Sequence, residues 1–488
     1  MMRRLLARSS LWSISGAVVR NLAGVAVFVA LARLLTPTEF GTVAFASVFV
    51  ELIRIAVVAG VPEALIQRKA WDDAEASTAF WATMTLGAAF TILIAGIAAP
   101  IAYVQYDHTF ALVLAALSLL LLIEGASTIH VAKLRRDFRY DVIAKRGMMS
   151  AVVSGVLGVA LAYAGWGVWA LVISRLVAVA SASAVLWGSS NFRPAFAASW
   201  GHVKALAGFS TAMFLGQFLG QLSRSIASVV IGSVIGPAAV GQYQIGSRAL
   251  DLLNSVVIQP IQGVALSAFA EVQRKNGSLW KAYLRMTRLT AVVACPAHLG
   301  LAAVAPDFVR LVFGPQWDQA IWILMTLALG VGPLSLNLFQ GAILAAAGRP
   351  DLNLKAMTLS TMAIALTAIA TVWFGAVGVA IGLTARLYLT TPINLRFVAR
   401  GLGTSAWEPV KNVLPVFACA LVMSAVVAAL RLSLVDQEPI LRLAACVACG
   451  CIVYPLLLLV FARPALADAI DSVTPMLPGR LRRILRLR

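Results

Sequence analysis

LWSISGAVVRNLAGVAVFVALA, residues 11–32, is 22 residues of nearly unbroken apolar sequence. A helix rises about 1.5 Å per residue, so this run is long enough to cross the roughly 30 Å hydrocarbon core of a bilayer. Arg20 and Asn21 fall near its middle. An arginine at the centre of a membrane helix costs about 2.5–3.5 kcal/mol on insertion scales. The rest of the sequence has to supply a partner or a cavity for it.

Similar runs recur to the end of the chain. Of its 488 residues, 61% are hydrophobic, and the mean hydropathy is +0.90. Inside lipid only helices or closed barrels satisfy the backbone, and continuous rather than alternating apolar runs point to helices. The net charge of +19 suggests nucleic acid at first sight. In a membrane protein, however, a Lys/Arg excess marks the cytoplasmic side, and no nucleic-acid partner is expected. The N-terminal MMRRLLARSS is basic, as in a signal peptide, but the following run is too long and lacks a clear cleavage site. It reads as a retained first helix. The five cysteines, at 295, 419, 446, 449 and 451, lie in apolar runs without a neighbouring His or acid. They read as small core residues, with no metal or cofactor expected. No hydrophilic block is large enough for a soluble catalytic domain, and no catalytic residues are expected.

Fourteen spans are predicted, at 11–34, 42–66, 79–104, 110–132, 147–164, 166–187, 206–235, 239–270, 288–313, 320–347, 355–374, 376–396, 409–430 and 441–462. Breakers such as TPTEFG (36–41), GPAAVG (236–241), GPQWDQ (314–319) and GRPD (348–351) mark the ends of several spans. With the N-terminus in the cytoplasm, 29 of the 39 basic residues fall on the cytoplasmic side, and only Arg33, Arg431 and Arg442 on the other. KLRRDFRYDVIAKR (133–146) alone carries six. This asymmetry places both termini in the cytoplasm. The seven remaining arginines, at 20, 54, 175, 224, 248, 310 and 386, lie inside spans. Arg310 is near an external end, where its side chain can reach the interface.

The other six repeat. GVWALVISRL (167–176) and GVAIGLTARL (378–387) share Gly-Val, six residues, then Arg-Leu. Pro37 and Gly41 match Pro237 and Gly241, while Arg135 and Asp137 match Arg349 and Asp351. The simplest account is a duplicated six-span unit covering 1–200 and 201–402, with two further spans and a basic amphipathic tail over 403–488. The expected fold is an all-α integral membrane protein of about 14 transmembrane helices. Two six-helix bundles are related by a pseudo-two-fold axis along the membrane normal, followed by two C-terminal helices. Arg20 then corresponds to Arg224, Arg54 to Arg248 and Arg175 to Arg386.

Polar stripes accompany these arginines. In span 8, Gln244, Arg248, Asp251, Ser255, Gln259 and Gln262 recur at steps of three and four, one face of a helix. Span 7 shows Gln217, Gln221, Arg224 and Ser228, and span 2 shows Ser47, Glu51 and Arg54. Glu124 is a further deep carboxylate. Such faces avoid lipid. They either bond to one another as interhelical glue or line a watery cationic cavity. The planar guanidinium fork suits phosphate oxygens, so an anionic substrate is expected. Its candidate ligands are Arg20, Arg54, Arg224 and Arg248. Asn21, Glu51, Glu124, Gln217, Gln221, Gln244 and Asp251 are the polar and charge-balancing residues, and Arg175 and Arg386 are further intramembrane cations.

LARLLTPTEFGTVAFASVF (31–49), ALIQRK (64–69), LRRDFRYDVIAKR (134–146), AGWGVWALV (164–172), LVFGPQW (311–317) and GRPDL (348–352) resemble the bacterial polysaccharide-transport flippases of the multidrug/oligosaccharidyl-lipid/polysaccharide exporter superfamily. The resemblance implies an inner-membrane protein that moves undecaprenyl-diphosphate-linked oligosaccharide repeat units from the cytoplasmic to the periplasmic leaflet by alternating access through a central cavity. It implies membrane lipids and a polysaccharide polymerase or export complex as further partners. In the related peptidoglycan-precursor flippases, arginines on spans 1, 2 and 8 line the cavity and spans 13 and 14 form an apolar groove. By position these are Arg20, Arg54 and Arg248. Three rival readings exist, one of them a lipid scaffold without transport, a role for which fourteen spans with duplicated buried charge are costly. A cation-coupled drug exporter of the same superfamily should prefer an acidic cavity. A membrane-embedded glycan enzyme would need a paired acid and base, and the acidic group Asp72, Asp73 and Glu75 reads instead as a solvated loop. Gly330, Gly332 and Pro333 should break span 10. The tail PGRLRRILRLR (478–488) reads either as an interfacial helix on anionic lipid or as a basic tail that enforces topology.

Overall fold

A computed structural model describes residues 24–58, 60–196 and 199–473, with the side chains of 205–212 and 469–473 outside the description. Arg20, Asn21 and the tail at 478–488 therefore lie outside the described residues. Everything regular among the described residues is helical. Among the described residues, nine helices are long and apolar enough to cross a membrane, or up to eleven if each of two bent pairs is one span. One of the nine, Pro350–Leu402, contains two expected spans, folded at Gly375. With the 35-residue helix Trp200–Val234 and the partly described first span, the layout is consistent with fourteen.

By contacts the chain divides into residues 1–241 and 242–488. The first unit contains α1 (Gly24–Leu34), α2 (Pro37–Val58), α3 (Val61–Gln67), α4 (Asp73–Leu93), α5 (Ala99–Gln105), α6 (His108–Arg136), α7 (Tyr140–Tyr163), α8 (Val168–Ser189) and α9 (Trp200–Val234). TPTE starts α2 five residues before the expected span, for a clear local reason. Thr36 Oγ1 accepts from Glu39 N (3.3 Å) while the Glu39 carboxylate accepts from Thr36 N (2.8 Å). This is a capping box with proline at the first helical position. Asp72 likewise caps α4 through Ala74 N, and Asp107 caps α6 through Phe110 N. Of the acids at 72, 73 and 75, the first two are exposed, as expected of a solvated loop, and only Glu75 is buried. Asp73 accepts from Trp71 Nε1 (2.8 Å), and the buried Glu75 pairs with Arg68 (2.6 Å).

The start of α2 meets the last residues of this unit. A side-chain carbon added at Gly41 would run into the Pro237 carbonyl, and one added at Gly241 into the Pro37 carbonyl. The two repeated Pro-x-x-x-Gly segments face each other reciprocally, like with like, as a two-fold contact requires. This fixes their register at 200. Glu51 then aligns with Asp251 and Arg54 with Asn254, so the expected match of Arg54 to Arg248 is not in this register.

The second unit contains α10 (Pro237–Val257), whose first turn belongs to the first, α11 (Gln259–Arg274), α12 (Leu279–Ala303), α13 (Ala305–Val312), α14 (Asp318–Ala328), α15 (Val331–Asn337), α16 (Gln340–Ala346), α17 (Pro350–Thr371), α18 (Gly375–Leu402), α19 (Glu408–Ser433), α20 (Pro439–Phe461) and α21 (Arg463–Val473). Two expected spans are broken: α10 and α11 meet at 48° beside Pro260, and α14 and α15 at 48°. The second break falls at Gly330, as the Gly330–Pro333 segment leads one to expect. The FGPQW turn is a packing element. Phe313 and Trp317 are fully buried. The Gln242 amide holds the turn by donating to Gln316 O (2.9 Å) and accepting from Ala320 N (3.1 Å). Polar side chains tie helices through backbone carbonyls: Tyr283 to Leu336 (2.7 Å), Ser424 to Leu299 (2.8 Å) and Tyr454 to Val292 (2.9 Å).

A second repeated turn also differs in register from expectation. After α6, Phe138 N donates to Arg135 O and Arg139 N to Leu134 O; after α16, Gly348 N donates to Ala345 O and Arg349 N to Leu344 O. Both are Schellman caps, with φ of 56° at Phe138 and 71° at Gly348. The equivalent segments are therefore Phe138-Arg139-Tyr140-Asp141 and Gly348-Arg349-Pro350-Asp351. Arg139 pairs with Asp141 (3.4 Å) as Arg349 does with Asp351 (3.1 Å). The expected partners of Arg349 and Asp351, Arg135 and Asp137, lie four residues too early.

Candidate functional site

In the first unit, α2 presents Ser47, Glu51 and Arg54 on one face, four and three residues apart. Facing them are Glu124 from the middle of α6 and Arg175 from α8. Arg54 Nε donates to Glu51 Oε2 at 2.7 Å, and its Nη1 lies 3.5 Å from Glu124 Oε2. Arg175 donates to Glu51 Oε1 at 2.5 Å and to Ser47 Oγ at 2.7 Å. All four charged side chains remain between a quarter and two fifths exposed. Two cations and two carboxylates thus form one neutral group. A low-dielectric span demands such pairing, because an uncompensated charge there is expensive. Arg175 has no acid near it in sequence; its partner lies 124 residues away.

The second unit is arranged differently. Gln244, Arg248, Asp251 and Ser255 lie on α10, and Gln259 and Gln262 continue on α11 past the bend. Arg248, Asp251, Gln259 and Gln262 are exposed on this unit, while Gln244 and Ser255 are partly buried. Arg386, the counterpart of Arg175, is partly buried on α18, and its Nε is buried without a hydrogen-bond partner. The repeated arginine is thus satisfied at Nη1 and Nη2 in one copy and left with an orphan N–H in the other.

On α9, Gln217 and Arg224 are exposed. The Arg224 guanidinium donates from Nη2 (2.8 Å) and Nε (3.3 Å) to Gln221 Oε1, and Gln221 passes a hydrogen bond on to Ser225 (3.2 Å). Arg310 pairs with Asp318 at 2.8 Å. The structure also brings together a group that sequence reasoning missed. Asp307 on α13, nearly buried, accepts from Arg442 Nε (3.0 Å) and Nη2 (2.5 Å), with Arg431 at 3.8 Å. A lone aspartate after Ala-Pro gives no sign of partners 124 and 135 residues away.

Beside this triad, α12, α13, α19 and α20 border an open cavity of about 610 Å3 lined by Val304, Phe308, Met423, Leu443, Cys446 and Tyr454 among others. Its wall is almost wholly apolar side chain. Such a surface takes a hydrocarbon chain and offers a phosphate nothing.

Residues 30–322 match the family described as "polysaccharide biosynthesis protein". The chain belongs to that family. Among relatives, the succinoglycan biosynthesis transport protein ExoT of Rhizobium meliloti is 29% identical over 307 residues, 62% of this chain and 62% of ExoT. The alignment therefore spans about three fifths of that relative's length. The lipopolysaccharide biosynthesis protein WzxC of Escherichia coli is 24% identical over 387 residues, 76% of each chain. Among solved structures, lipid II flippase MurJ in an inward closed conformation superposes with a TM-score of 0.76 at 17% identity, over 93% of this chain and 99% of that one. An inward-facing MATE-family multidrug transporter gives 0.60 at 16% identity, over 79% and 94%. The family member thus shares its fold with MurJ and with the MATE-family transporter. ExoT is named as a transport protein, and the two fold neighbours as a flippase and a transporter.

Proposed function

We propose that this protein is a flippase. It moves undecaprenyl-diphosphate-linked oligosaccharide repeat units from the cytoplasmic to the periplasmic leaflet, by alternating access through a cationic central cavity. The observation that carries the reading is the set of intramembrane arginines on polar helix faces, in a chain of the polysaccharide biosynthesis family. Their forks match the oxygens of a diphosphate. Arg20, Arg54, Arg224 and Arg248 bind the diphosphate, with Arg175 and Arg386 as further cations.

The acids have a definite part in this cycle. With no substrate bound, Glu51 and Glu124 neutralise Arg54 and Arg175, and Asp251 offsets Arg248. Arriving phosphate oxygens compete for the same N–H donors, beginning at the weakest contact, the 3.5 Å separation of Arg54 from Glu124. The lipid tail occupies apolar surface, for which the cavity between α12, α19 and α20 is suited. Outward movement of an anion runs with an inside-negative potential, worth about 2.3 kcal/mol per charge per 100 mV.

The test uses a deletion strain of the source bacterium complemented with Arg20→Gln, Arg54→Gln, Arg224→Gln or Arg248→Gln, each at verified membrane levels. The expected outcome is surface polysaccharide reduced at least tenfold, with lipid-linked repeat units accumulating on the cytoplasmic face. Normal export by all four variants would remove the arginines from the substrate path.

A further inference from the structure

The basic loop after α6 does more than a topology signal requires. Ile66, Arg135, Arg136, Phe138 and Tyr140 line a cavity of about 620 Å3, within the size range of small-molecule sites. One wall is fixed: Arg136 donates to Leu65 O (3.0 Å) and Lys69 O (3.1 Å) and lies over the Trp71 ring at 5.9 Å. Arg135 is less committed. Its side chain is 44% exposed, and its contact with Glu63 is 3.9 Å long. Phe138 is 53% exposed, with its ring 6.4 Å from that of Tyr140.

Phe138 occupies a position where glycine belongs. Its φ of 56° is a left-handed conformation that a bulky side chain resists. The same cap in the second repeat uses Gly348. The molecule therefore contains both solutions of one turn, and the first copy keeps an exposed aromatic ring against the backbone's preference. Strain held beside a cavity is a pointer to function. A topology signal needs charge alone, with neither a ring nor a cavity.

We propose that this cavity is a docking site for the phosphate-linked sugar headgroup of the lipid-borne substrate, on the cytoplasmic side of the first unit. The Arg135 fork takes phosphate oxygens. The Phe138 and Tyr140 rings pack against the C–H face of a sugar, and Arg136 is the rigid wall. Glu63, Asp137 and Asp141 stand around the same loop, so charge attraction alone is modest and the rings contribute the selectivity. The inference rests on the flippase reading above.

The test places p-benzoyl-phenylalanine at position 66 of the full chain in nanodiscs. The probe is a short-chain polyprenyl-diphosphate-linked monosaccharide, and crosslinking yield is the readout. Arg135→Gln and Phe138→Gly should each lower the apparent affinity about tenfold. Glu63→Gln, which removes a competing carboxylate, should raise it. Phe138→Gly should leave the Tm unchanged or higher, because glycine suits the turn, so a folding defect cannot mimic the loss. Unchanged crosslinking in both loss variants, with the parent protein flipping the glycolipid in proteoliposomes, overturns the docking site and leaves the flippase reading standing. If the variants change only the protein's association with bilayers containing phosphatidylglycerol, the loop is a membrane anchor and the proposal also falls. If the parent protein neither crosslinks nor flips the probe, both readings fall.

Discussion

At the scale of single residues, Glu51 does the most. It accepts from Arg54 and Arg175 at once, so Glu51→Gln leaves two guanidinium groups short of counter-charge. Pairs buried on both sides cost about 3–5 kcal/mol to break and exposed ones about 0–1. These side chains are between a quarter and two fifths exposed, so a loss of about 1–3 kcal/mol is expected, read as a lower Tm in detergent. The double variant Glu51→Gln with Arg175→Gln should recover part of that loss, because the orphaned cation is gone. Additive losses would show that the two side chains are not coupled. The sequence exposed half of this arrangement. Glu51 and Arg54 are three apart on one helix, and their proximity is legible. The approach of Arg175 is not, because nothing in a linear pattern states which helix face another helix meets.

At the scale of elements, the apolar runs were legible and their interruptions only in part. Length and hydropathy locate spans because the bilayer sets one thickness. Bends depend on local hydrogen bonding, and these divide the cases: Gly330 announced its break, whereas the bend between α10 and α11 lies inside a run read as one continuous helix. Pro260, just past the bend, was the available signal, since proline withholds a donor from the ladder. Capping was underread in the same way. In the sequence TPTE reads as a breaker, whereas its Thr36–Glu39 reciprocity makes it the first turn of α2. The prediction at this scale concerns the close approach between the starts of α2 and α10. Gly41→Ala and Gly241→Ala each push a methyl into backbone that cannot rotate away. Overpacking of this kind costs about 1–3 kcal/mol, measurable by thermal unfolding. Gly188→Ala, where an added carbon meets nothing within 4 Å, should be neutral or slightly stabilising. Equal effects at all three positions would refute the close approach.

At the scale of the whole molecule, charge asymmetry is the property most fully written in the sequence. It predicts that loops at 68–72 and 133–146 lie inside and that the loop at 434–438 lies outside. In a cysteine-free background, a thiol introduced at Asp436 should react with a membrane-impermeant maleimide in intact cells. One introduced at Lys145 should react only after permeabilisation. The reverse pattern would invert the topology and, with it, the direction of transport proposed above. The repeated motifs are legible too, though two of their register matches are displaced. Short identities slide by a few residues, and only the caps at Phe138 and Gly348, and the facing glycines, set the alignment.

That glycine contact has a consequence for descent. Gly41 and Gly241 end matching Pro-x-x-x-Gly segments, and each lies where the carbonyl of the other segment's proline must fit. Here a change accepted in one segment is a change imposed on its twin. Each glycine is part of the selective environment of the other, and this pair of positions should be the slowest in the chain to diverge.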